Sequence, residues 1–222
     1  RLAEMIDIVP ENHSGAYISY FNLAKSGFEE PMTTHSDHYE SNYGYSSAAY
    51  SKGEVFLEQL GYIVGADVRD KILLEYYKQW RFKHPNATDF MRVAEQVSGI
   101  QLDWYKEYWV NTTKTIDYRI DSLWEESGIT KIRLRRTGKL PMPVDLQLTF
   151  KDGSTEMFYV PLNLMFGNKP NENLAQKREL LEEWRWTHPA YVVETKHKLT
   201  DIKIVEIDPS KRMADVDRKN NK

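Results

Sequence analysis

Val144-Asp145-Leu146-Gln147-Leu148-Thr149-Phe150 alternates apolar with polar residues, Lys151-Asp152-Gly153-Ser154 follows, and Glu156 to Val160 then resumes an apolar run. Alternation with a period of two is the signature of a half-buried strand, and a Gly-containing polar cluster between two such runs predicts a β-hairpin. Working outward, Lys131-Ile132-Arg133-Leu134-Arg135 alternates in the same way, and Tyr191 to Lys196 and Ile202 to Ile207 read as two further strands. Pro141, Pro143 and Pro161 suit strand ends, where no ladder N–H is needed. The charged stretch from Asn171 to Glu183 reads as an insertion bearing a short helix.

Upstream of about residue 130 the period is helical. Tyr17, Tyr20, Phe21 and Ala24 share a face over residues 16–26, and Gly27 supplies a stop. Residues 29–45 are polar, hold Pro31 and Gly44, and read as a loop. Ser46 or Ser47 is the expected cap of a helix with the stripe Ala49, Gly53, Phe56, Leu57, Leu60 and Val64. A further helix is predicted over 67–82, with Val68, Ile72, Tyr76 and Trp80 on one face. Thr88 caps a shorter one that Gly99 closes, and an aromatic-rich helix follows over 102–110. The expected fold class is α+β in two parts: a helical part over 1–121 and a small antiparallel β-sandwich over 122–222. The polar end from Met213 to Lys222 reads as frayed.

The 222 residues are 41% hydrophobic and 28% charged, a composition that forms a core, and the mean hydropathy is -0.65. No apolar run approaches the roughly 18 residues of a membrane span. Thirty basic residues against thirty-three acidic ones give a net charge of -3, which argues against a broad nucleic-acid-binding surface. The absence of cysteine removes thiol nucleophiles, disulfide scaffolds and Cys-ligated zinc.

Three stretches carry candidate chemistry. His35-Ser36-Asp37-His38-Tyr39-Glu40 crowds imidazoles and carboxylates, and partly matches a His-x-His-x-Asp-His metal pattern, but Thr33 stands where its first His belongs. A solvated polar loop is the competing reading. His-Glu-x-x-His and Gly-x-Ser-x-Gly are both absent, as is a phosphate-cradling Gly-rich loop. Gly44-Tyr45-Ser46-Ser47-Ala48-Ala49-Tyr50-Ser51-Lys52-Gly53 is expected to place Tyr50 in the first turn of an amphipathic helix, where a phenol can donate a hydrogen bond to an oxyanion in an adjacent cleft.

Tyr50-Ser51-Lys52-Gly53 resembles the Tyr-x-Lys-Gly motif of zinc aminopeptidases of the aminopeptidase N family, the gluzincin group that includes leukotriene hydrolase. Tyr45-Ser46-Ser47 is similar to the leukotriene-hydrolase branch, where a second Tyr lies nearby. The likeness continues through Leu57-Glu58-Gln59-Leu60-Gly61, Gly65, Asp89-Phe90, Glu95, Ser98-Gly99, Leu102 and the stretch from Trp104 to Trp109. It covers about residues 40–120 well and the β part loosely, through Ile207-Asp208-Pro209 and Ala214-Asp215-Val216.

The resemblance implies a helical second half of a thermolysin-like catalytic domain followed by an Ig-like β-sandwich. It implies that Tyr50 is the catalytic Tyr, hydrogen-bonding the oxyanion that forms when zinc-activated water attacks a peptide carbonyl, and that Tyr45 lines the substrate cleft. Gly53 would let its helix approach a neighbour closely. The zinc ligands and the motif that binds the substrate's free amine are missing, so this chain is expected to be the carboxy-terminal portion of such a peptidase, with no metal ligands and no activity of its own. Zinc and a peptide substrate belong to the full-length parent, whose bacterial relatives point to the periplasm or secretion, although the residues themselves leave its location unknown. Severed from its other half, the helical part is expected to self-associate, or residues 1–45 to be mobile. The alternative is a non-enzymatic helical plus β-sandwich module that binds peptide or protein.

Overall fold

The computed structural model describes residues 9–222, and the chain divides into two compact units. One contains the described residues up to Lys114 together with Leu164–Glu172, and the other contains Thr115–Asn163 and Asn173–Lys222. The fold is α+β, with a helical part and a β-sandwich-like part. Mobility expected for residues 1–45 falls partly on residues 1–8, which lie outside the described residues.

The helical unit runs through α1 (Ser14–Ser26), α2 (Asn42–Ser46), a π turn (Ser47–Ser51), α3 (Lys52–Val64), α4 (Ala66–Trp80), α5 (Ala87–Ser98) and α6 (Asp103–Tyr105), which continues into a second π turn (Lys106–Val110). Gly27 ends α1 and Gly99 ends α5, both at positive φ (78° and 69°), as a left-handed helix stop requires. The core is aromatic. Tyr105 stacks on Phe56 at 5.0 Å between centroids and donates to the Phe56 carbonyl at 2.7 Å, while Gln59 donates to the Tyr17 hydroxyl at 3.0 Å. The segment Leu164–Glu172 closes this unit: Lys169 lies over the Tyr62 ring at 4.4 Å, and Glu172 accepts from the free N–H of Ala66 at the start of α4. None of the described helices is long and apolar enough to cross a membrane.

The second unit has two sheets. Strands β1 (Tyr118–Glu126), β2 (Ile129–Arg136) and β6 (Ala190–Thr195) form an antiparallel sheet in the order β1-β2-β6. The other sheet has the order β5-β4-β3-β7, from β3 (Val144–Phe150), β4 (Thr155–Val160), β5 (Arg178–Leu180) and β7 (Ile202–Ile207). Along β3, Val144, Leu146, Leu148 and Phe150 are buried and the residues between them are not, so the expected hairpin is present with the expected inward face. The Tyr118 hydroxyl pins the core from both sides, donating to the Met142 carbonyl at 3.0 Å and accepting from the Met142 N–H at 2.8 Å.

Five local expectations are corrected. The boundary expected at 121/122 falls inside β1, and the units part at 114/115. A register shift between Ile120 and Ser122 breaks the two-residue period there and hides the strand from a pattern reading. The stretch 171–183 holds no helix: its ordered piece is β5, which pairs with β4 in parallel and makes that sheet mixed rather than purely antiparallel. The cap of α5 is Asn86, not Thr88; its side chain accepts from the N–H groups of Thr88 and Asp89, and Asp89 accepts from its backbone in a reciprocal capping box. The helix expected to start at Ser46 or Ser47 starts with α2, capped by Ser41, whose hydroxyl accepts from Gly44 at 3.0 Å.

The fifth correction is the carboxy-terminal segment, which is packed rather than frayed. Met213, Ala214, Asp215, Arg218 and Asn221 are all buried. Arg218 pairs with buried Asp208 at 2.7 Å and also donates to its carbonyl, and Ser210 and Met213 donate to the same carboxylate. Asp215 accepts from the N–H groups of Tyr118 and Asp217 at 2.8 and 2.9 Å. A polar run can bury itself when its charges find partners this completely.

Candidate functional site

The segment from Gly44 to Gly53 is continuously helical, but not as one α-helix. The Lys52 N–H bonds to the Ser47 carbonyl, five residues back, which is the bond of a π turn. The extra residue in this turn shifts the phase of everything before it. Ala48 is therefore buried and Ala49 exposed, the reverse of what an α-helical stripe through Ala49 predicts. Single π turns inside α-helices recur at functional positions because they re-aim one side chain without ending the helix.

The side chain re-aimed here is Tyr50. It is 72% exposed, and its hydroxyl makes no hydrogen bond to another described residue. It does not stand in the first turn, so the unpaired N–H groups of a helix start cannot assist it as expected. Two residues before buried Lys52, it lies on the opposite side of the helix and faces away from the core. Tyr45 is 36% exposed, with its ring edge-on to Tyr39 at 5.4 Å. Positions five apart on an α-helix point about 140° from each other. The π turn between Tyr45 and Tyr50 narrows that angle and lets both rings face solvent.

Two residues next to Tyr50 need reassessment. Gly53 does not serve close approach: a Cβ there would meet only the Met32 Cε, at 3.9 Å. The glycine that does is Gly44, where a Cβ would sit 2.8 Å from the Phe28 carbonyl oxygen. Lys52 is charged and 1% exposed. Its Nζ lies 2.8 Å from the Glu29 Oε1, donates to the Thr112 carbonyl at 3.1 Å, and stands over the Trp109 ring at 5.8 Å. Burial pushes the Lys52 ammonium down and the Glu29 carboxyl up, and each charge opposes the other's shift. Sequence reasoning named Lys52 only as part of a motif and passed over Glu29. The one available signal was a lysine set among small and apolar residues on a helix, which a sequence alone cannot pair.

The chain matches no family model and no curated protein.

The histidine-rich stretch does not close on a metal position. The His35 Nδ1 accepts from the Asp37 N–H at 3.2 Å, Asp37 points into solvent, and the His35 and His38 rings lie 5.3 Å apart. Among the described residues, no three His, Asp or Glu side chains converge on a point that could hold a metal ion. Beside α3, Met32, Phe56, Tyr76, Phe90, Met91 and Val110 line an open apolar groove of about 350 Å³.

Proposed function

We propose that this chain is the tyrosine-bearing carboxy-terminal portion of a zinc-dependent aminopeptidase of the aminopeptidase N type, and that Tyr50 is its reacting group. The exposed, unengaged Tyr50 hydroxyl on a π turn is the observation that carries the reading. The ordered series of motifs from Tyr45 to Trp109 supports it, since each piece falls on a helix of the helical unit or at its end. On this reading the metal and the general base are supplied by residues outside this sequence. What this chain contributes is a phenol. Its O–H donates to the carbonyl oxygen of the scissile amide as that oxygen gains negative charge, and the bond strengthens toward the transition state. Tyr45, on the same exposed side, borders the space the substrate's backbone would occupy.

The test uses the protein carrying the segment encoded ahead of Arg1. That segment should contain His-Glu-x-x-His, and its absence would remove the proposal. In that protein Tyr50→Phe is expected to lower kcat about a hundredfold, with KM within a factor of about two. An unchanged kcat would take Tyr50 out of the reaction. The competing reading, a peptide-binding module without catalysis, draws on the apolar groove that Phe56 and Phe90 line. It requires peptide binding by this chain alone that Phe90→Ala weakens at least about tenfold.

A further inference from the structure

We infer that Lys52 is a positioning residue for Tyr50: its buried side chain, clamped between Glu29, the Thr112 carbonyl and the Trp109 ring, holds open the π turn that fixes the angle of the phenol and its direction relative to Tyr45. The inference rests on the reading of Tyr50 given above for its catalytic consequence, but its structural part stands on geometry alone.

The backbone N–H that closes the π turn and the buried ammonium belong to the same residue. A π turn is less favourable than an α turn and persists only when its surroundings fix it. Three groups do so here. Glu29 lies just beyond the end of α1, Thr112 lies just beyond the second π turn, and Trp109 lies inside that turn. All three meet at one ammonium, 2.8 Å from a carboxylate oxygen, 3.1 Å from a carbonyl oxygen and 5.8 Å from a ring centroid. Lys52 thus has a fixed depth and a fixed rotation about the helix axis. If the turn collapsed to α geometry, the residues ahead of it, Tyr45 among them, would rotate by about 100° relative to α3. Ala49 would turn inward toward where Ala48 now sits, and Tyr50, two residues from Lys52, would turn by a smaller angle. A buried ion pair is a poor source of stability but a good source of a unique arrangement, because the partly formed alternatives leave a bare charge in the core.

The absence of cysteine makes the test direct, since labels can be attached only where cysteines are introduced. Tyr50→Cys and Leu74→Cys place spin labels on the π turn and on the exposed side of α4, both within the helical unit. Their separation is measured by pulsed electron resonance in the parent, in Lys52→Met, and in Lys52→Met with Glu29→Leu. The double variant removes both charges at similar volume, so that no bare carboxylate remains to unfold the unit. The expected result is a shift of roughly 5 Å or more, or an equivalent broadening, in both variants, with thermal stability recovered in the double variant. A separation unchanged in the folded double variant overturns the inference, because stability alone would then be what the pair supplies. In the zinc-bearing protein the double variant should lose about tenfold in kcat with KM nearly unchanged. If Tyr50→Phe costs a hundredfold there and the double variant costs nothing, the positioning role fails while the reading of Tyr50 survives. If Tyr50→Phe costs nothing, the reading fails whatever the labels report.

Discussion

Gly44 and Gly53 lie on the same helical stretch, and a methyl group added to each meets opposite surroundings. At Gly53 the space is open, so Gly53→Ala should raise stability by about 0.5–1 kcal/mol, the helix-propensity gain over glycine. At Gly44 the added carbon would overlap the Phe28 carbonyl oxygen, a backbone atom that cannot swing aside, so Gly44→Ala should destabilise. Urea unfolding of the two variants should rank them on either side of the parent. The opposite ranking would mean that Gly53, not Gly44, is the close-approach position. Arg218 gives a second single-residue prediction. Its guanidinium neutralises Asp208, whose carboxyl is wholly buried and pushed up by desolvation against the pull of Arg218. Arg218→Ala leaves that carboxyl unpaired in the core, and should cost about 3–5 kcal/mol in the same measurement.

Elements differ in how openly the sequence declares them, and α5 is among the clearest. Asn86 and Asp89 exchange hydrogen bonds across its first turn, so Asn86→Ala should cost about 1 kcal/mol, and Thr88→Ala far less. Equal losses would return the cap to Thr88. The β3–β4 hairpin was legible because one face of β3 is buried and the other is not, which leaves an uninterrupted alternation in the residues. Strand β1 was not legible, because its shifted register at Ile120 disrupts that alternation. The π turn was equally hidden. Nothing between Ser47 and Ser51 encodes it locally, and its cause lies in Glu29, Trp109 and Thr112, far away in sequence. The candidate site follows the same division. Tyr45 and Tyr50 are named through the resemblance of their motifs to the aminopeptidase N family, whereas the buried charge beside them depends on tertiary pairing. The carboxy-terminal segment misled for a related reason, since its composition is that of a free tail and its hydrogen bonds are those of a core.

At the scale of the whole molecule, buried carboxyls set how stability responds to pH. Desolvation raises the Asp215 pKa from 3.8 to about 7, against two backbone N–H donors that favour the charged form, with the nearby Asp117 adding to the rise. Asp208 and Glu29 are raised as well, also chiefly by burial. A carboxyl raised in the folded state keeps its proton where the unfolded chain has lost it. Each such group therefore contributes stability that is fully present below the unfolded pKa and is lost as pH rises through the folded one. For Asp215 the window runs from about pH 4 to about pH 7, and the loss across it is on the order of 4 kcal/mol. Asp121 and Glu126 are shifted the opposite way by Arg135 and Lys131, but Glu126 is exposed and Asp121 only half-buried, so solvent screens their effect. The β unit should thus be more stable at pH 4.5 than at pH 7.5, contrary to the acid lability usual where carboxylates are salt-bridged in the native state. Asp215→Asn should lower stability at acid pH, because an amide cannot accept from both Tyr118 and Asp217. It should also flatten the pH dependence, since no proton remains to be lost. Urea unfolding followed through backbone amide signals of β2 and β3 reads this unit apart from the helical one. Parallel pH curves for the parent and the Asn variant would show that the Asp215 carboxyl is already ionised at pH 4, and that its two N–H donors outweigh its burial.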